Sequence, residues 1–107
     1  MAVTITLTQE RPNTSIPFYN ASNEFKALKQ EMVDAGTLVD SGSNNKTGLI
    51  RTWILTFIQI KNLVAFENDS RTQSYMNARL TYNLTSGITE IIKRYYGSNN
   101  NINTKKT

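Results

Sequence analysis

The stretch Thr47-Gly-Leu-Ile-Arg-Thr-Trp-Ile-Leu-Thr-Phe-Ile58 constrains the fold more than any other part of the chain. It reads as one long strand with apolar residues on both sides. Leu49, Trp53, Leu55 and Phe57 point one way, with Arg51 among them; Ile50, Ile54 and Ile58 point the other way, with Thr52 and Thr56 between them. A strand with one solvated face alternates cleanly, whereas a strand covered on both faces is apolar throughout. A chain of 107 residues forms one domain and covers one face of its sheet with its own helices. Covering the second face falls to something else.

The flanking segments supply the rest of such a domain. Val3 to Thr8 alternates strictly, with Val3, Ile5 and Leu7 on one face and Thr4, Thr6 and Thr8 on the other. Gln9 to Asn20 carries Pro12 and Pro17, which hold their predecessors extended. Ile16, Phe18 and Tyr19 are too apolar for a free loop and are expected to pack along a sheet edge or a partner. Ser22 is a suitable N-cap for a helix in which Phe25, Leu28, Met32 and Val33 form one stripe, and Gly36 is a suitable C′ residue. Thr37 to Ser41 reads as a short strand, and Ser41 to Lys46 as a turn leading back into the organising strand. Helical spacing returns with Ile60, Leu63, Val64 and Phe66, breaks near Asp69, and resumes with Tyr75, Met76, Arg79, Leu80, Asn83 and Leu84 before Gly87. Ile88 to Tyr96 is a last strand whose charges suit an exposed end or edge. Residues 97–107 form a polar tail too poor in apolar residues to fold, which leaves 1–96 as the domain.

Composition removes several functional classes. The chain has no cysteine, which excludes disulfides, thiolate metal sites and thiol chemistry, and no histidine, which removes the commonest general base and transition-metal ligand. The net charge of +4 is partly in the tail at Lys105 and Lys106, so the folded body is only mildly basic. No basic start followed by an apolar run marks a signal peptide, and no run approaches the roughly 18 apolar residues of a membrane span. The expectation is a soluble chain without a membrane partner, cytoplasmic or, for a phage protein, in the host cytoplasm or the virion.

The order β-α-β-β-α-β is that of a ferredoxin-like α+β domain: an antiparallel four-stranded sheet with helices on one face and the first and third strands central. With Val3, Ile5 and Leu7 toward the helices, Leu49, Trp53, Leu55 and Phe57 join them in the core. Thr4, Thr6, Thr8, Ile50, Thr52, Ile54 and Thr56 then form an open face too apolar to be left flat in water. In this order of elements the chain resembles the dimeric α/β-barrel group, which includes small monooxygenases, from Val3 to about Tyr96. The resemblance implies a homodimer closed through the open faces, and, in the enzymes of the group, catalytic His, Asn, Trp or Arg side chains in the barrel interior. Here that interior is mostly Thr and Ile, which favours a non-catalytic homodimerising module over an enzyme or ligand binder and implies no cofactor. The composition is also similar to that of small proteins of marine tailed phages, which adds virion proteins as partners. Arg51, Trp53 and Phe57 on one strand face resemble the RNA-recognition motif, which would stack bases on exposed rings. That reading requires Val3, Ile5 and Leu7 to be exposed as well, and nucleic acid is therefore not the expected partner.

Each individual candidate has a plainer reading. Trp53 suits a core position; Arg51 suits a snorkelling or carboxylate-paired side chain near a strand end. Glu67, Asp69 and Arg71 suit helix-boundary capping. Of Tyr95 and Tyr96, one packs and the other covers an edge. The Asn-X-Ser/Thr triplets at Asn68 and Asn83 follow from an Asn- and Thr-rich composition. No catalytic, metal-binding or cofactor-binding residue stands out.

Overall fold

The computed structural model describes residues 1–45 and 47–97. The elements are β1 (Val3–Glu10), α1 (Asn23–Asp34), β2 (Leu38–Asn44), β3 (Ile50–Phe57), α2 (Ile60–Asn68), α3 (Ser70–Ser86) and β4 (Thr89–Tyr96). All pairings are antiparallel, in the order β2-β3-β1-β4. The expected α+β architecture is therefore present, with the second helical region divided in two at Asp69. Apart from Gly97, the expected polar tail lies outside the described residues.

Register divides the sheet into two faces. Val3, Ile5, Leu7 and Gln9 pair with Phe57, Leu55, Trp53 and Arg51, and all of these point toward the helices. The apolar end of this face is closed by Val3, Phe25, Leu28, Leu38, Phe57, Leu63 and Phe66. Its rings interlock: Phe57 meets Phe66 at 5.0 Å between centroids, Phe66 meets Phe25 at 5.7 Å, and Phe25 stacks on Tyr75 at 3.9 Å. Tilted and offset arrangements of this kind add to the burial of the rings themselves.

Helix ends follow local chemistry. The Ser22 hydroxyl accepts the Phe25 N–H at the start of α1. At its end, the Gly36 N–H donates to Val33 and the Thr37 N–H to Met32, with Gly36 at φ 76°. This is the paired bonding that lets a left-handed residue stop a helix, and it needs a glycine. The Asp69 carboxylate accepts the Arg71 N–H at the start of α3. Hydrogen bonds from the Arg71 side chain and N–H hold the Asp69 carboxyl below its ordinary pKa.

Several boundaries and faces differ from the sequence expectation. β1 runs on to Glu10, because Gln9 and Glu10 keep the pairing with Arg51 and Ile50. β2 reaches Asn44, since polar Ser41 to Asn44 form an exposed edge that needs only backbone bonds. Ile58 lies beyond the end of β3. On the helices, Val33, Ile60, Val64, Leu80 and Leu84 are exposed, Leu84 to 87%. The residues that α3 buries are Thr72, Arg79 and Asn83. The helix is rotated away from its leucines because the sheet beneath its C-terminal half is polar.

Two measurements check this packing. Leu63→Ala, at a buried position, should cost about 2–5 kcal/mol in urea unfolding, while Leu84→Ala should stay within about 0.5 kcal/mol of the parent. Equal losses would mean that α3 is turned the other way. The contribution of the Asp69 cap is complete above the ordinary carboxyl pKa, near about pH 4, and is lost as pH falls through the lower folded value. Asp69→Asn should therefore flatten the acid limb of the stability profile below about pH 4.

Candidate functional site

Two surfaces can carry function, and they lie on opposite sides of the sheet. The first is the open face. Thr4, Thr6, Thr8, Ile50, Thr52, Ile54 and Thr56 all point away from the helices, as expected. They are joined by Val39, Ser41 and Ser43 from β2 and by Ile91, Lys93 and Tyr95 from β4. Thr4 and Thr56 stand opposite each other, their hydroxyls 3.1 Å apart. Val39 is 56% exposed, Ile91 61% and Ile54 37%. No element of the described chain covers them. Among the strand residues of this face, only Glu10 and Lys93 are charged.

The second lies under α3, on the covered face. Beyond Leu7 the sheet turns polar, and Gln9 is fully buried. Its amide N–H donates to Glu90 Oε1 at 2.8 Å, and its carbonyl accepts from Arg51 at 2.7 Å. Asn83 Nδ2 also donates to Glu90 Oε1, at 2.6 Å. Arg79 Nε comes within 2.8 Å of the same oxygen, although its N–H is not aligned as a hydrogen bond. Glu90 thus anchors β1 and α3 to the edge strand β4. A carboxylate this buried is stable only when paired and hydrogen-bonded, which is why polar partners converge on it.

Among the described residues, Arg51 reaches no carboxylate directly. It bonds to Gln9 and the Tyr19 carbonyl and lies near the Phe18 and Trp53 rings. Burial lowers its pKa, opposed by Tyr75 and Glu90 and reinforced by Arg11. Trp53 is half-buried on the covered face, with the Lys29 ammonium 3.7 Å from its ring centroid, and Lys29 pairs with Asp40 at 2.9 Å. Phe57 is fully buried. Arg51, Trp53 and Phe57 therefore line the helix side and do not form a base-stacking platform on the open face. Of the remaining candidates, Asp69 caps α3, Arg71 pairs with Asp69 and Glu31, and Glu67 pairs with Arg94. Hydrogen bonding with Tyr96 and then Glu67 raises the Arg94 pKa. Tyr95 is half-buried on the open face, and Tyr96 is exposed at the edge.

Between the apolar core and the Glu90 cluster the layers do not close. A pocket of about 120 Å³ remains, floored by Ile5, Leu7, Trp53 and Leu55 and roofed by Tyr75 and Met76 of α3. Thr72 and Arg79 also line it, and both are at least nine-tenths buried. Among the described residues, Thr72 Oγ1 and Arg79 Nε find no hydrogen-bond partner. Glu67 and Arg94 stand at its β4 side. This pocket lies between the chain's own sheet and helices. Among the described residues, no group of three or more acidic side chains is placed to hold a metal ion, and no helix is long and apolar enough to cross a membrane.

The sequence reading missed Gln9, Thr72 and Glu90. Gln9 and Glu90 carry a parity signal, since they continue the inward positions of β1 and β4. Thr72 carries none, because its role depends on how α3 is rotated. The ion pair can be tested directly. Glu90→Leu leaves buried guanidinium groups uncompensated and should cost about 3–5 kcal/mol in urea unfolding, and adding Arg79→Met should recover part of that loss. A double variant as unstable as the sum of its singles would mean that the two groups do not interact.

No protein-family model matches the chain, and no curated protein matches it significantly. Its fold is similar to a solved structure from Bacteroides thetaiotaomicron, a conserved protein of unknown function called a "possible oxidoreductase". The TM-score is 0.62 at 10% identity, covering 88% of this chain and 95% of the other. At that identity the likeness establishes a shared α+β fold.

Proposed function

We propose that this chain is a homodimerising module whose two copies join through their open sheet faces. The observation that carries the reading is the exposure of Val39, Ile54 and Ile91 on a broad face that no part of the described chain covers. Four strands spaced about 4.8 Å apart, with about eight residues each at roughly 3.4 Å, present about 500 Å². Two such faces bury about 1,000 Å², the lower bound for a specific interface. The face also suits a copy of itself, because threonines, serines and β-branched residues pack without burying many charges, and Glu10 and Lys93 give it one charge of each sign. A dimeric role as a small structural or accessory protein needs nothing further from the chain.

A second reading, as a ligand binder or small enzyme, is favoured by the pocket under α3 with its unpartnered buried polar atoms. The "possible oxidoreductase" wording of the structural relative belongs to that reading. Catalysis would have to use the groups that line the pocket, of which Glu67 and Tyr75 can exchange protons.

Sedimentation distinguishes the dimer from its alternatives. The parent chain should run as two copies, and Ile54→Lys or Thr52→Lys should yield monomer or aggregate with an unchanged circular dichroism spectrum. A parent that sediments as a monomer at every concentration overturns the proposal, and would instead fit a different partner, such as another virion protein.

A further inference from the structure

We propose that the pocket under α3 is a binding site for a single-ring aromatic acid, held by its carboxylate on Arg79 and by a second polar group on Thr72. This rests on the ligand-binding reading and adds the chemistry of the ligand.

Size comes first. The pocket holds about 120 Å³, and a protein cavity of about 150 Å³ takes a benzene molecule. A ligand built on one six-membered ring is on the scale of this space, whereas a flavin or a haem exceeds it severalfold. The walls match a ring, because Leu7, Leu55, Trp53, Tyr75 and Met76 present apolar and aromatic surface on both sides.

Charge comes second. Arg79, Arg94 and Glu67 line this volume, and Arg79 leads out of it to Glu90, which Gln9 links to Arg51. Arg94 has Glu67, while Arg79 lies directly against Glu90 and Arg51 reaches the same carboxylate only through Gln9. The cluster of Arg51, Glu90 and Arg79 thus holds two positive charges for one negative, and an anionic ligand reaching it at Arg79, the member that lines the pocket, supplies the missing partner. The guanidinium of Arg79 is suited to that task, being 5% exposed, on the pocket wall, and not aligned with Glu90 through Nε. A planar carboxylate is the shape that a guanidinium fork takes best.

Length comes third. Thr72 and Arg79 are seven residues apart on one helix, about 10 Å along its axis. Helical side chains lean toward the N-terminus, which brings the Arg79 head group closer to Thr72. A ring with polar groups at opposite ends spans the remaining distance, and the unpartnered Thr72 Oγ1 meets the second group.

The probes are 4-hydroxybenzoate, benzoate, toluene and acetate, titrated into the full chain and followed by the indole N–H resonance of Trp53, the chain's one tryptophan. 4-Hydroxybenzoate should bind most tightly, benzoate next, and toluene and acetate about tenfold or more weakly than benzoate. Arg79→Gln with Glu90→Gln, which removes one charge of each sign and keeps the polar contacts, should abolish the preference for benzoate over toluene. Thr72→Val, which preserves shape, should abolish the preference for the hydroxyl alone. Equal binding of toluene and benzoate overturns the proposal while leaving an apolar ligand site, and acetate binding as well as benzoate overturns the need for a ring. No response to any of the four overturns both this proposal and the ligand-binding reading.

Discussion

The pairing of β1 with β3 is the constraint on which the rest of the molecule depends. It sets Val3 against Phe57 at one end and Gln9 against Arg51 at the other. Because side chains alternate along a strand, this single register decides what both faces of the sheet carry. A slip of one residue would expose Val3, Ile5 and Leu7 and put threonines under the helices. The fully buried residues of the central strands, Val3 and Phe57 at one end and Gln9 at the other, thus act as pins at opposite ends of the same ladder.

Between those pins the helix side changes character, and the helices follow it. At the Val3 end, α1 and α2 meet the sheet through Phe25, Leu28, Leu63 and Phe66, which is ordinary hydrophobic closure. At the Gln9 end, α3 meets it through Arg79 and Asn83, both directed to Glu90. A buried carboxylate is a costly component, and replacing such clusters with apolar residues often stabilises a protein. What the cluster contributes is position, since a carboxylate on β4 can be satisfied by only one rotation of α3. The pocket is the gap left where apolar closure has ended and the polar contacts have begun.

This division explains how much could be read from the residues alone. The alternation of Val3, Ile5 and Leu7 with Thr4, Thr6 and Thr8, and the two-sided apolar pattern of Ile50 to Phe57, were enough for the sheet, its central pair and the contents of the open face. Local signals at Ser22, Gly36, Asp69 and Gly87 placed the helix boundaries. The rotation of α3 was not legible. Leu80 and Leu84 have core spacing, and they lose to a residue on another strand whose burial no local pattern announces. Gln9 and Glu90 meet across 81 positions of sequence, and a polar residue at an inward position looks like the end of a strand until its partner is known.

The two outer strands have a further consequence. Among the described residues, β2 and β4 each leave one side of their backbones unpaired, and unpaired edges invite another chain to add a strand. β4 is the more hazardous, with Ile91, Ile92, Tyr95 and Tyr96 in a run of high strand propensity. Lys93 and Arg94 interrupt that run with adjacent positive charges, and the turn glycine Gly97 follows it. At the other edge, Asp40 points inward to Lys29, and Gly42 to Asn44 offer no side chain worth burying. Both edges thus carry the features that discourage ribbon-like growth into fibres, which lets the chain keep a broad apolar face without the sheet propagating sideways.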